Sequence, residues 1–149
     1  MTDSAVHCGE PSPSCTLVLY DGVCGLCNRL VKFLLHHDRA DRFRFAPLQT
    51  EFARAILARH GLDTSDFDTV VVISNFGASS EKAFIRSEAV IRAAAQLGGV
   101  WKAAAIARFL PRILREALYK LVARRRYRVF GQFATCPLPD PQVRHKFLG

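Results

Sequence analysis

The sequence predicts an α/β domain, a mixed sheet flanked by helices with a helical C-terminal extension. Three observations carry that reading. Two apolar runs rich in β-branched residues, "TLVLY" (Thr16–Tyr20) and "DTVVVIS" (Asp68–Ser74), have the length and composition of buried strands. Between and after them, apolar residues recur every three to four positions, the spacing of helices that bury one face. The chain has 149 residues, 50% hydrophobic and 23% charged, a balance that supports one packed core and excludes a disordered chain.

The elements follow in order. After the first strand, Asp21-Gly22 is a turn signal. A helix starts at about Cys24, with Leu26, Leu30, Phe33 and Leu34 at helical spacing and Arg29 and Lys32 elsewhere, and "DRAD" at Asp38–Asp41 ends it. Arg42–Leu48 alternates as a second strand, stopped at Pro47. Thr50 is placed to cap a helix running to His60, with Gly61 as its stop. The unbroken Val/Ile run of Asp68–Ser74 points to burial on both faces. Asn75 and Gly77 mark a hairpin-like reversal into a short strand ending near Ile85. Ser87 reads as the cap of a helix from Glu88 to Leu97, closed by Gly98-Gly99. "VWKAAAIARFL" and "PRILREALYKLVARRR" read as two more helices, with Pro111 in the first turn of the second. The last twenty residues contain three prolines and read as an irregular tail.

This order, β-α-β-α-β-β-α with added helices, is the thioredoxin-like arrangement. Its two central strands are expected to be parallel and joined by a helical crossover. The chain divides into a mobile leader (1–15), a thioredoxin-like core (16–98), and a basic helical extension and tail of the same domain (99–149). The leader lacks the apolar core of a secretory signal, and no apolar run approaches the roughly 20 residues that span a bilayer. The expected location is the cytoplasm. Five cysteines, with Cys8 and Cys15 in or beside the leader and expected to be exposed, do not make a secreted disulfide framework.

Cys24 and Cys27 form a C-x-x-C between a strand and a helix. At a helix N-terminus, free N–H groups and the helix dipole favour an anion, so a thiolate at Cys24 is stabilised. Cys27 lies one turn further in, close enough to close a small disulfide ring. Cys24 is then the nucleophile of thiol-disulfide exchange and Cys27 the resolving thiol, and no cofactor is required. The same spacing also serves half of a zinc site, for which Cys136, His36, His37 and His145 are the available further ligands. A third reading is a reduced, inert pair.

"YDGVCGLC", with Asp21, Cys24 and Cys27, resembles the signature of the DCC family of predicted thiol-disulfide oxidoreductases. "DRADRFRFAPLQT", "DTVVVI", "RSEAVIRAAAQLGG" and "ARRRYRVFG" resemble its later blocks in order and spacing, so the likeness runs from about Leu17 to Leu148. The resemblance implies a thioredoxin-like fold and a redox role. Unlike thioredoxins, the chain has no proline near Phe67-Asp68-Thr69, just before the third strand, which weakens the carry-over of general disulfide reductase activity and leaves metal binding more open.

Asp21 fits two roles, a proton relay to Cys27 and an Asx-turn holding the Gly22–Cys24 loop; the turn is the plainer. A carboxylate there would raise a neighbouring thiol's pKa, against activation of Cys24. Cys136 reads as a buried, unreactive cysteine, with a third redox thiol as the alternative. His36 and His37 suit the last helical turn, where positive charge meets the dipole.

Between Val100 and Arg128 nine cations face Glu116 alone, so this segment accounts for the whole net charge of +8. Its apolar stripe, from Ile106 and Leu110 to Leu121 and Val122, is expected to pack on the domain while Arg108, Arg112, Arg115 and Lys120 face solvent. The expected partner of the dithiol is a protein or small-molecule thiol or disulfide. The basic helices suit contact with an anionic membrane or an acidic protein, or make the chain a non-enzymatic adaptor; no motif points to nucleic acid.

Overall fold

A computed structural model describes residues 15–38, 42–62, 70–97, 99–131 and 141–147. Strands β1 (Thr16–Tyr20), β2 (Phe43–Pro47), β3 (Val71–Ser74) and β4 (Lys82–Ile85) form one mixed sheet in the order β2-β1-β3-β4. Helix α1 (Gly25–His37) crosses from β1 to β2, which run parallel. The two central strands are not the expected parallel pair. The central strands β1 and β3 are antiparallel, and the parallel partner β2 lies at the edge. The αβ crossover fixes only that β1 and β2 run the same way; it does not fix which of them takes the centre.

All five residues of β1 are buried, which explains its unbroken apolar run. Side chains alternate between two cores. Leu17 and Leu19 meet Ile56 and Leu57 of α2 (Glu51–Arg59), whereas Val18 and Tyr20 meet Val31 and Leu34 of α1 and Ala89 and Ala93 of α3 (Arg86–Gln96). The C-x-x-C belongs to the second core.

Thr50 caps α2 by accepting from the Ala53 amide, and Gly61 follows in the left-handed region at φ 69°. Ser87 does not cap α3. The chain enters α3 through Arg86, at φ 57°, whose N–H donates to the Val70 carbonyl at 3.1 Å, and the Ser87 hydroxyl donates to Glu116 instead. Cys15 is buried, not exposed: its carbonyl accepts from the Phe76 amide at 2.9 Å as the chain enters β1. Cys136, the 67–69 segment and the remainder of the leader lie outside the described residues. In the tail, Phe147 makes an isolated parallel bridge to Phe45 on β2.

The first added helix is a 3-10 helix, Gly99–Phe109. At about 2.0 Å per residue against about 1.5 Å for an α-helix, this winding spans more of the path from the end of α3 to α4 (Arg112–Phe130). Pro111 stands one residue before α4, as its N-cap.

Arg112 and Lys120 face solvent as expected, but the apolar stripe does not pack on the domain. Ile106, Leu110, Ile113, Leu114, Leu118, Leu121 and Val122 are exposed, while polar residues turn inward. Arg115 and Arg108 pair with Glu88 of α3 at 3.1 and 3.6 Å, and the Tyr119 hydroxyl accepts from the Val70 amide at 3.0 Å. Burial of Glu88 opposes its charge, but Arg92, Arg115 and Arg108 together lower its pKa. The surface under α4 is largely apolar; leaving Glu88 and the Val70 amide there without partners is costly, so Arg115 and Tyr119 turn inward to meet them. Among the described residues no helix is long and apolar enough to cross a membrane.

Candidate functional site

The site forms where β1 and β2 end side by side. The Leu48 amide donates to the Tyr20 carbonyl at 2.7 Å, which brings Gln49 beside Asp21. Asp21 opens an Asx-turn: its Oδ1 accepts from the Val23 amide at 3.1 Å, and its carbonyl accepts from the Cys24 amide at 3.2 Å. Gln49 clamps the same loop, donating from Nε2 to Asp21 Oδ1 at 2.8 Å and accepting from the Gly22 amide at 3.1 Å. Asn28 donates to the carbonyls of Gly22 and Cys24, both at 2.9 Å.

Cys24 is the N-cap of α1, with its Sγ 3.5 Å from the Cys27 amide. Both thiols are free and buried, with Cys24 0% and Cys27 4% exposed. The Cys24 thiol is lowered from 9.0 to about 6. The largest cause is the hydrogen bond from the Cys27 thiol; burial opposes it, and the Cys27 amide, Arg126 and the Leu26 amide assist. Cys27 is pushed upward, because its proton is held against Cys24 and because it is buried.

The second half of the site comes from α4. Arg126, 3% exposed, donates to Asp21 Oδ2 at 3.1 Å, and Asp21 is 1% exposed. The Tyr127 hydroxyl donates to the same oxygen. Burial and this bond push the Tyr127 phenol up to about 12. Desolvation opposes the charge of Arg126, yet Tyr127, the two cysteines and Asp21 raise its pKa. Arg126 therefore offsets the carboxylate that, alone, would have opposed a thiolate.

Gly25 makes this docking possible. Its amide donates to the Gly131 carbonyl at 3.1 Å, and a Cβ at this position would lie 2.1 Å from the Phe130 carbonyl oxygen. The C-terminal end of α4 thus closes on the N-terminal end of α1, opposite ends of two helix dipoles. A cavity of about 390 Å³ lies between α1, α3 and α4, with Cys27 and Arg126 in its wall beside Leu26, Leu30, Leu118 and Val122. That volume suits a small molecule.

The structure brings Cys24, Cys27 and Asp21 together, as their spacing suggested. His36 and His37 occupy the last turn of α1, where the His37 ring packs edge-on to Trp101, their centroids 5.2 Å apart. Among the described residues no group of three or more His, Cys, Asp or Glu side chains is arranged to hold a metal ion. Sequence reasoning missed Gln49, Asn28, Arg126 and Tyr127. No local signal singles out Arg126: Arg124, Arg125 and Arg126 span about 200° of helix, an arc that a docked helix can expose in full, as α4 does at Lys120, Leu121 and Val122.

The thiolate predicts a pH profile. Ultraviolet thiolate absorbance of the reduced protein, measured against Cys24→Ser, is expected to titrate with a midpoint near 6. The sign of the linked stability follows. Between about 6 and 9 the unfolded chain holds a proton that folded Cys24 has lost, so the reduced protein gains stability over Cys24→Ser as pH rises, and loses it as pH falls through 6. A midpoint near 9 would remove the activated thiolate.

The comparisons agree with this geometry. A profile of the DCC1-like thiol-disulfide oxidoreductases matches residues 18–132. The chain is 33% identical over 132 residues to YuxK, an uncharacterized protein of Bacillus subtilis (strain 168), covering 89% of this chain and 93% of that one. It is 37% identical over 123 residues to a chloroplastic DCC family protein of Arabidopsis thaliana, covering 82% and 69% respectively. No solved structure matches the chain. With the aspartate and both cysteines of the signature assembled at one helix N-terminus, and the match spanning the sheet, α1 and α4, the chain belongs to the DCC1-like thiol-disulfide oxidoreductase family.

Proposed function

We propose that the protein exchanges electrons between its Cys24–Cys27 dithiol and a disulfide substrate. The observation that carries this is the polarised pair: a thiol lowered to about 6 at the N-cap, with the second thiol donating to it from one turn inside the helix. The Cys24 thiolate attacks one sulfur of the substrate disulfide, forms a mixed disulfide and expels the other sulfur as a thiolate. Cys24 is then no longer an acceptor for the Cys27 proton. Cys27 releases that proton to the expelled thiolate or to water and attacks Cys24 Sγ. The Cys24–Cys27 bond forms, and the second substrate thiolate leaves. Two electrons pass from the dithiol to the substrate. Asp21 serves by anchoring Arg126, the loop and Tyr127.

Burial narrows the substrate. Neither sulfur stands on the surface; the cavity between α1, α3 and α4 has Cys27 in its wall and not Cys24, so a substrate seated there reaches the nucleophile past Cys27. The apolar wall of the cavity favours a small, uncharged disulfide over a polypeptide. The test is trapping. Cys27→Ser treated with bis(2-hydroxyethyl) disulfide is expected to retain one adduct on Cys24, while wild type resolves it and releases both halves as thiols. An adduct confined to Cys27 in Cys24→Ser, with none on Cys24 in Cys27→Ser, would reverse the assignment.

A further inference from the structure

Every large apolar side chain that stands exposed among the described residues lies between Val100 and Val129. This is also the segment that carries the net charge of the chain. The other described large apolar residues are buried or half-buried, so the coincidence is a property of one surface rather than of loose packing. A contiguous apolar patch of this kind marks an interaction site.

The surface has an order. Phe109 and Ile113, 88% and 86% exposed, stand on either side of the Pro111 corner where the 3-10 helix meets α4. Leu114, Leu118 and Leu121 continue from that corner along the outer face of α4. In the second half of the helix the same side carries Arg124, Arg125 and Arg128, all exposed. Lys102, Arg112 and Lys120 are exposed as well, while Arg108, Arg115 and Arg126 are engaged in ion pairs with Glu88 and Asp21. Glu116, the segment's one acid, hydrogen-bonds Ser87 and pairs with Arg86. The exposed charge of this face is therefore all positive.

We propose that this face docks on an anionic lipid bilayer, with the Pro111 corner inserted below the headgroups and the arginines of the C-terminal half of α4 on the lipid phosphates. Charge decides between the occupants. A second copy would set Arg124, Arg125 and Arg128 against three more cations. An anionic bilayer offers acyl chains for the corner and phosphates for the arginines at once, and interfacial segments seat about 5–10 Å deep. Nineteen residues of α4 extend about 28 Å, so a tilted helix reaches from the acyl boundary to the headgroup plane. The inference does not depend on the exchange chemistry.

Cosedimentation of the full chain with vesicles tests it. One vesicle is phosphatidylcholine alone, and the other also contains phosphatidylserine. Wild type is expected to partition at least about tenfold more strongly to the anionic vesicles. Arg124, Arg125 and Arg128 exchanged together for Gln should weaken that binding on the order of a hundredfold, at roughly fivefold per cation. Phe109→Glu with Ile113→Glu should weaken it too, and Phe109→Trp fluorescence should be quenched by brominated acyl chains. All these positions are exposed, so the variants are expected to keep the wild-type circular dichroism and the Cys24–Cys27 redox couple. No binding to either vesicle overturns the proposal. So does anionic binding that the Phe109/Ile113 pair leaves unchanged, which would be adsorption by charge alone. A dimer or an acidic-protein complex that these same variants dissociate, without vesicle binding, would reassign the face and overturn it as well.

Discussion

Arg126→Met is expected to destabilise the reduced protein by about 3–5 kcal/mol, measured by denaturant unfolding. The reason is the partner left behind. Arg126 and Asp21 are both buried, and removing the guanidinium leaves the Asp21 carboxylate with Tyr127 and Gln49 but no opposing charge. Asp21→Asn combined with Arg126→Met removes both charges and should recover a large part of that loss. The thiol should respond more modestly. Cys27 contributes most to lowering the Cys24 pKa and Arg126 less, so Cys27→Ala should raise the Cys24 titration further than Arg126→Met does. A reversed order would make the buried arginine, not the dithiol hydrogen bond, the principal source of activation.

Gly25→Ala is the second large effect. In an exposed helix this change would stabilise by up to about 1 kcal/mol. Here the added methyl would meet the carbonyl oxygen of Phe130 at 2.1 Å and its carbon at 2.9 Å, and backbone atoms cannot rotate aside. The expected outcome is a net loss of about 1–3 kcal/mol, typical of overpacking, with the end of α4 displaced. Because α4 carries Arg126, the same variant should raise the Cys24 titration. A stabilised protein with an unchanged midpoint would show that α4 does not close on α1.

These two positions also show what the sequence could and could not disclose. Thr50 and Gly61 bounded α2 correctly because a cap and a stop are local chemistry, readable without knowing the neighbours. The start of α1 at Cys24 is legible for the same reason: the change of period after Tyr20 locates a helix N-terminus. Asp21 reads as a turn former but not as the anchor of an ion pair, since its partner lies 105 positions away. Ser87 looked like a cap and is not one, because Glu116 on α4 competes for its hydroxyl. The apolar stripe of α4 is the clearest difference. Helical spacing reports that one face is apolar but not how the helix is turned, and Arg115 and Tyr119 meet Glu88 and the Val70 amide while the stripe stays exposed.

The central claim is that Cys24 and Cys27 form one redox couple. Its most direct test is a redox titration of wild type, Cys24→Ser and Cys27→Ser across a glutathione series, read by thiol trapping with the modified cysteines mapped. Wild type is expected to pass in a two-electron step between the dithiol and a Cys24–Cys27 disulfide, and neither variant to form this bond. A wild-type protein in which both thiols stay reduced at every accessible potential, or that holds stoichiometric zinc lost on Cys24→Ser, would contradict it.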